Sequence, residues 1–415
     1  MSLFLKNISK LYTPDQNKGF GSVQLLENVS VLMIEDRIEE ILYDPESIKG
    51  AADSVIDASG MCLFPGFVDA HTHPVFWKTR EAEFIMRIKG YSYEQIAAAG
   101  GGIRNSARSF QKAPRDDIKN QTRLRLREFL IHGTTTIEAK SGYGLTTADE
   151  IKSLEIIREL NSEQPVEMVP TFLGAHEIPD EYRNNRTDYI RIIKDEMIPQ
   201  IAEKKLAEYC DVFCEKGVFT IDESRDILLE AHRYGLKSRL HADELHASGG
   251  AELAAEINAV TADHLVKISS QGIQKMAARG VIPVLLPVTT FFLRKDEYAP
   301  AREMINAGCE IALATDFNPG SSMTQNMQLV WSIAALKMGL LPGELLWATT
   351  IMPAKSLAKE HRIGSIERGK QADMVIMDIP NIDYLPYHIG VNHVFMTIKK
   401  GKIVYQRSMN ESRVN

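Results

Sequence analysis

Cysteine is scarce: Cys62, Cys210, Cys214 and Cys309 are the four in 415 residues. So few in so long a chain exclude a disulfide-framed scaffold. Cys210 and Cys214 sit in an apolar strand-like run with no second cysteine pair, which fits buried thiols better than a metal pair. Positive charge is not in surplus either. The 48 Lys and Arg stand against 55 Asp and Glu, a formal net charge of −7. Nucleic acid is therefore not expected as the main partner. Long apolar runs are missing. The apolar stretch near Met1 is too short for a secretory signal. The longest mainly apolar run, residues 281–293, carries two prolines and two threonines and is too short to span a bilayer. A cytoplasmic protein without a membrane partner is expected. No Gly-x-Gly-x-x-Gly follows a first strand, so nothing supports a doubly wound nucleotide-binding sheet.

The composition that remains, 44% hydrophobic and 25% charged, is that of a globular protein. A chain of 415 residues suits a large α/β barrel with a smaller domain added. Both ends are strand-rich. Residues 25–34 and 37–42 read as strands near the start, and 372–378 as one near the end. Residues 391–405 read as a hairpin turning at Lys400-Gly401. The ends are expected to build one small β-sandwich domain from residues 1–62 and 366–407. The middle, 63–365, alternates. Its strand candidates are 64–69, 134–138, 167–173, 210–214, 238–241, 259–263, 281–286 and 310–314. Helix-like stretches lie between them, among them 116–132, 147–161 (opening with a capping-box pattern, Thr147 to Glu150) and 221–234. Eight strands alternating with helices predict an α/β fold of the (β/α)8 barrel type, with a doubly wound sheet as the alternative.

In such a barrel, function collects at the C-terminal ends of the strands. The first strand leads into Asp69-Ala70-His71-Thr72-His73, where alternation points both imidazoles to one side. The third leads into His176, the fifth into His241-Ala242-Asp243-Glu244, the sixth into His264 and the eighth into Asp316. Five of the 11 histidines thus fall on one rim. His71, His73, His241 and Asp316 make a three-nitrogen, one-carboxylate set for a divalent transition metal with a position left for water. Such a metal lowers the pKa of bound water. Glu244, three residues past His241, is placed to take that water's proton, and His264 to orient the water or polarise a carbonyl. Lys216 lies near the end of the fourth strand, where a carboxylated lysine would bridge two ions. It follows Glu215 and reads better as a solvated lysine, so one metal is expected. Arg80, on the loop after the first strand, is either a clamp for a substrate carboxylate or a surface salt bridge. Tyr143, flanked by Gly142 and Gly144, is either a ring over the site or a packed loop residue. Residues 97–102 form an Ala- and Gly-rich run without the Lys-Ser/Thr ending of a phosphate loop, which suggests a linker or lid. Asn318, Gly320 and Ser321 follow Asp316 and either face the cavity or make a polar turn.

These residues also carry a resemblance. Its segments are Phe67 to Phe76, Ala97 to Ile103, Glu138 to Leu145, Phe172 to His176, His241 to Glu244, and Ala314 to Ser321. The chain resembles the amidohydrolase superfamily of metal-dependent hydrolases, and within it the imidazolonepropionase family. The resemblance covers nearly the whole length. It implies hydrolysis of the cyclic amide C–N bond of 4-imidazolone-5-propanoate to N-formimidoyl-L-glutamate, in L-histidine degradation. It implies one zinc or iron ion per subunit at His71, His73, His241 and Asp316. It makes Arg80 the propionate clamp, and places Tyr143, His176 and Glu244 around the ring with Asn318, Gly320 and Ser321 holding its polar atoms. Tyr93 would sit on a lid near the substrate, and a homodimer is implied. Trp77-Lys78 departs from the small residues usual there, which bears on the loop path before Arg80. Two rivals stand beside this reading. A related metal-dependent deaminase would use the same ligands, but Arg80 and Tyr143 favour a carboxylate-bearing substrate. A catalytically silent scaffold would be expected to have lost ligands, and all are present.

Overall fold

Eight strands in the middle of the chain are buried along nearly their whole length, as a parallel sheet covered on both faces requires. With the terminal strands counted as β1 to β5, they are β6 (Phe67–Asp69), β7 (Thr134–Lys140), β8 (Glu167–Ala175), β9 (Tyr209–Cys214), β10 (Lys237–Ala242), β11 (Thr261–His264), β12 (Ile282–Leu285) and β13 (Ala312–Leu313). Each pairs in parallel with the next in chain order. The ring closes where Thr72 bridges Phe317 and the His73 amide donates to the Phe317 carbonyl at 2.9 Å. This is the expected (β/α)8 barrel, in a computed structural model that describes residues 2–43, 52–91, 95–96 and 99–408. Tyr93, Ala97 and Ala98 lie outside the described residues.

Helices pack around the ring with local signals the sequence carries. The helix Ile221–Arg233 opens on a capping box, Thr220 with Glu223. The helix Thr147–Glu163 is capped one residue earlier than expected, by Thr146 accepting from the Asp149 amide at 3.1 Å. Glu150, the glutamate of the expected box, is buried and accepts from the Gly144 amide instead. Among the described residues no helix is long and apolar enough to cross a membrane. All four cysteines are free and buried.

The two ends of the chain meet in a second sheet. It comprises β1 (Ser2–Pro14), β2 (Val23–Ile34), β3 (Arg37–Leu42), β4 (Ser54–Asp57), β5 (Cys62–Pro65), β14 (Met374–Met377), β15 (Val394–Lys399) and β16 (Lys402–Gln406). The sheet branches at β1, which pairs with β2 on one side and with β4 and β5 on the other. It curls over its own apolar cluster, in which Leu5, Val31, Ile38, Ile376 and Ile398 all take part. The expected hairpin is present: Lys400 and Gly401 both have positive φ, 50° and 70°, the twist a two-residue hairpin turn needs.

One expected strand divides. The sequence predicts a single barrel strand over 64–69. In the structure Cys62–Pro65 belongs to the terminal sheet and only Phe67–Asp69 to the barrel. Gly66 makes the transfer possible, because a Cβ there would lie 2.6 Å from the Thr135 side chain. Hydrophobicity alone could not show this division, since both sheets bury the run equally.

Candidate active site

His71 and His73 lie just past the end of β6, held extended by the bridge at Thr72 and its hydroxyl bond to the Glu138 carbonyl. Their Nε2 atoms approach to 3.3 Å, and Oδ1 of Asp316 lies 3.5 Å from each. His241, at the end of β10, and His264, at the end of β11, bring their ligand atoms to the same place. Two groups of three, His71–His73–Asp316 and His71–His241–His264, each fall within 4.8 Å and share His71. All five side chains are buried.

Burial holds His71, His73 and His264 well below the usual histidine pKa, with neighbouring imidazoles adding to the effect. Neutral rings present nitrogen lone pairs, and lone pairs crowded at one buried point call for a cation between them. The rings are also oriented for it. Nδ1 of His71 lies 2.6 Å from Asp263 Oδ2, and Nδ1 of His241 lies 3.0 Å from Asp211 Oδ2. A carboxylate on Nδ1 leaves Nε2 as the donor atom. Asp316 divides its oxygens similarly: Oδ2 accepts from the Thr289 hydroxyl at 2.7 Å, and Oδ1 faces the histidines. His264 and Asp316 have positive φ, 73° and 52°, backbone strain of the kind that persists where a site demands it.

Glu244 stands beside this cluster, its Oε1 3.7 Å from His264 Nδ1. Burial, helped by the nearby Asp316, raises its carboxyl to about 8. Its loop is clamped by two acids. Glu215 accepts from the Leu245 amide at 2.8 Å and from Nδ1 of His246 at 3.0 Å, and Asp243 accepts from the Ser248, Gly249 and Ala251 amides. Lys216 is exposed and lines an outer cavity of about 670 Å³, away from the imidazole cluster.

One cavity joins the cluster to the remaining expected residues: Arg80, Tyr143, His176, Asn318, Gly320 and Ser321 all line it. Tyr143 is cradled by Glu150, which accepts from the amides of Gly142, Gly144 and Leu145 at 2.7–2.9 Å. Its ring packs against His73 and His176. His176 stacks on His73 and directs Nδ1 to the Gly142 carbonyl at 2.9 Å. Burial lowers its pKa to about 3, so it too is a neutral ring. Arg80 is paired with Glu83 at 2.5 Å, and Glu83 in turn accepts from the Gly102 amide. Asn318 spends its side chain on its own loop, accepting from the Gly320 and Ser321 amides and donating to the Asp316 carbonyl.

Residues 62–404 match the model of the amidohydrolase family. The chain belongs to that family. Proteins named imidazolonepropionase resemble it over nearly their full length. The one from Geobacillus sp. (strain WCH70) is 44% identical, over 97% of this chain and 97% of its own. The one from Alkaliphilus metalliredigens (strain QYMF) is also 44% identical, over 98% and 99%. Among solved structures, an adenosine deaminase from Xanthomonas campestris with bound zinc superposes with a TM-score of 0.70 at 19% identity, over 97% of this chain and 92% of that one. At that identity the likeness is one of fold.

Several residues of this amidohydrolase site escape a reading of the rim alone. Arg87 lines the cavity and donates to the Gly320 carbonyl at 3.3 Å. It stands seven residues after Arg80, two helical turns along the same face of Glu81–Ile88, so the spacing was a usable signal. Asp211, Asp263, Lys140 and Arg239 lie inside barrel strands and are completely buried. Charged residues in otherwise apolar central strands were the clue, since such residues are almost never buried unpaired.

Proposed function

We propose that this amidohydrolase cleaves the cyclic amide C–N bond of 4-imidazolone-5-propanoate with water, giving N-formimidoyl-L-glutamate, a step of L-histidine degradation. The observation that carries the reading is near-full-length identity of 44% to proteins named imidazolonepropionase. In this reading His71, His73, His241 and Asp316 hold one divalent cation, zinc or iron, with His264 beside them. When bound there, the cation supplies a Lewis acid for the amide carbonyl and lowers the pKa of water.

The chain's own groups do the rest. Arg80 receives the propanoate, since a guanidinium matches a carboxylate with two parallel bonds. The rings of Tyr143 and His176 flank the imidazolone. Glu244 takes the proton from the attacking water as its oxygen bonds to the carbonyl carbon. It returns that proton to the ring nitrogen as the C–N bond breaks. A carboxyl whose pKa burial has raised suits both halves of this transfer. Neutral His264 and His176 hydrogen-bond to the carbonyl and the ring without competing for the proton.

The proposal extends to a cytoplasmic homodimer. It also treats residues 1–62 with 366–407 as a domain apart from the barrel 63–365, with the boundary moved past Pro65 because Cys62–Pro65 pairs in the terminal sheet. Purified, metal-loaded protein should remove the absorbance of 4-imidazolone-5-propanoate and yield N-formimidoyl-L-glutamate. No turnover, or release of ammonia from an aminoazine instead, overturns the substrate assignment. Light scattering reads the oligomeric state.

A further inference from the structure

Beneath the imidazole cluster lies a group of buried ions that the proposed reaction leaves untouched. Lys140, the last residue of β7, is completely buried. Its Nζ lies 2.7 Å from Glu138 Oε1, 2.6 Å from Asp211 Oδ2 and 3.7 Å from Asp263 Oδ2. Arg239, equally buried, lies 3.1 Å from Glu138 Oε1 through Nε and donates to the Ala70 carbonyl at 2.8 Å. A buried lysine is tolerated only with such partners. Two of its three carboxylates also face a ring of the cluster: Asp211 faces Nδ1 of His241 and Asp263 faces Nδ1 of His71. One ammonium is thus tied to two rings of the cluster, through one carboxylate each.

We propose that Lys140 is a positioning residue for the metal centre: by fixing Asp211 and Asp263 together, it aims Nε2 of His241 and of His71 at one point. The inference rests on the reading of those rings as metal ligands. Fold stability alone does not require this arrangement, since buried ion pairs are often replaceable by apolar residues without loss. Orientation does require it. A carboxylate partner on a ligand imidazole fixes the ring's tautomer and its angle, and removing one typically weakens metal binding. Without the ammonium, Glu138 and Asp263 would keep Arg239 within 3.1 and 4.0 Å, and Asp211 would lose its lysine and face His241. Their repulsion in a low-dielectric core would spread them and turn the rings they hold.

The test uses Lys140→Met, and Lys140→Met combined with Glu138→Gln, which restores the cluster's net charge. Metal-free proteins are titrated with zinc against a competing chelator, and their melting is followed without metal. Wild type should bind zinc at this site. Both variants should bind it about 10–100-fold more weakly, and the double variant should melt close to wild type. A double variant that melts like wild type and binds zinc within about twofold of it overturns the proposal and leaves Lys140 a structural ion. A double variant that does not fold overturns it as well, because Lys140 would then serve the fold whatever the charge balance. Wild type that binds no zinc overturns the underlying reading of the ligands.

Discussion

Gly320→Ala should damage substrate binding while leaving the fold nearly intact. A Cβ at position 320 would lie 2.2 Å from an Arg80 Nη atom and 2.8 Å from Cζ. Non-bonded carbon contacts settle at about 3.5–4.0 Å, so the guanidinium must retreat by more than about 1 Å. It cannot retreat in place, because Glu83 holds its other nitrogen at 2.5 Å and is itself anchored on the Gly102 amide. The clash is with the end of a flexible side chain, so the fold can absorb it. The clamp cannot, since two bonds to a carboxylate need the planar fork in position. Hydrogen bonds to charged groups contribute about 1.5–3 kcal/mol each. Losing one to two of them at a partly wet site gives about 2–3 kcal/mol. That is a rise in KM of about 30- to 150-fold, with kcat reduced much less. Arg80→Ala should show a similar rise, and the double variant should be no worse than Arg80→Ala alone, because both act on one contact. Steady-state kinetics on the four proteins, with melting curves alongside, make the measurement. A Gly320→Ala enzyme with KM within about twofold of wild type, or a fully additive double variant, refutes the reasoning.

Glu244→Gln should lower kcat by about 10²–10⁴ and abolish the acid limb of the rate profile. The sign follows from the raised carboxyl: Glu244 loses its proton only as pH climbs toward about 8, and only the ionised form can take a proton from water. A cation in the site favours that ionised form, so the limb of the loaded enzyme should lie below about 8; an unchanged acid limb in the variant counts against Glu244 as the base. Chelation should abolish turnover and lower the melting temperature, and added zinc should restore both; full activity in metal-free protein would refute the ligand assignment. Trp331→Ala should destabilise the barrel by about 3–5 kcal/mol, since a completely buried ring is removed and its bond to the Thr349 hydroxyl is lost. A loss below about 1 kcal/mol in denaturant unfolding would show that the site collapses around the gap.

The barrel was legible because each of its strands is short and most are followed by a helical stretch. The rim was legible because function at a strand end leaves polar residues after an apolar run, as at His176 after β8 and Asp316 after β13. What misled was local equivalence. The run 64–69 is equally apolar on both sides of Gly66, and only the close approach of Thr135 separates the two sheets. Thr146 and Thr147 are equally good caps, and Glu150 was drawn off by three amides of the Tyr143 loop.

Arg80, the proposed clamp, and the buried ions were harder to read, for different reasons. Arg80 acquires its position from Gly320, 240 positions along the chain, and from a glutamate fixed on Gly102. No local pattern encodes that meeting. The buried ions do have a pattern, one of strand faces. Glu138 and Lys140 alternate on β7, and Arg239 and His241 alternate on β10. Residues two apart share a face. The members that follow the rim histidines' alternation inward must therefore stack in the layer beneath them. A charged residue two positions below a rim ligand in a parallel barrel has only the barrel interior to enter, where it must find an opposite charge. Such a layer sits where it can fix the rings above it. That layer is readable in advance, provided the strand alternation is followed inward from each rim histidine rather than stopped at it.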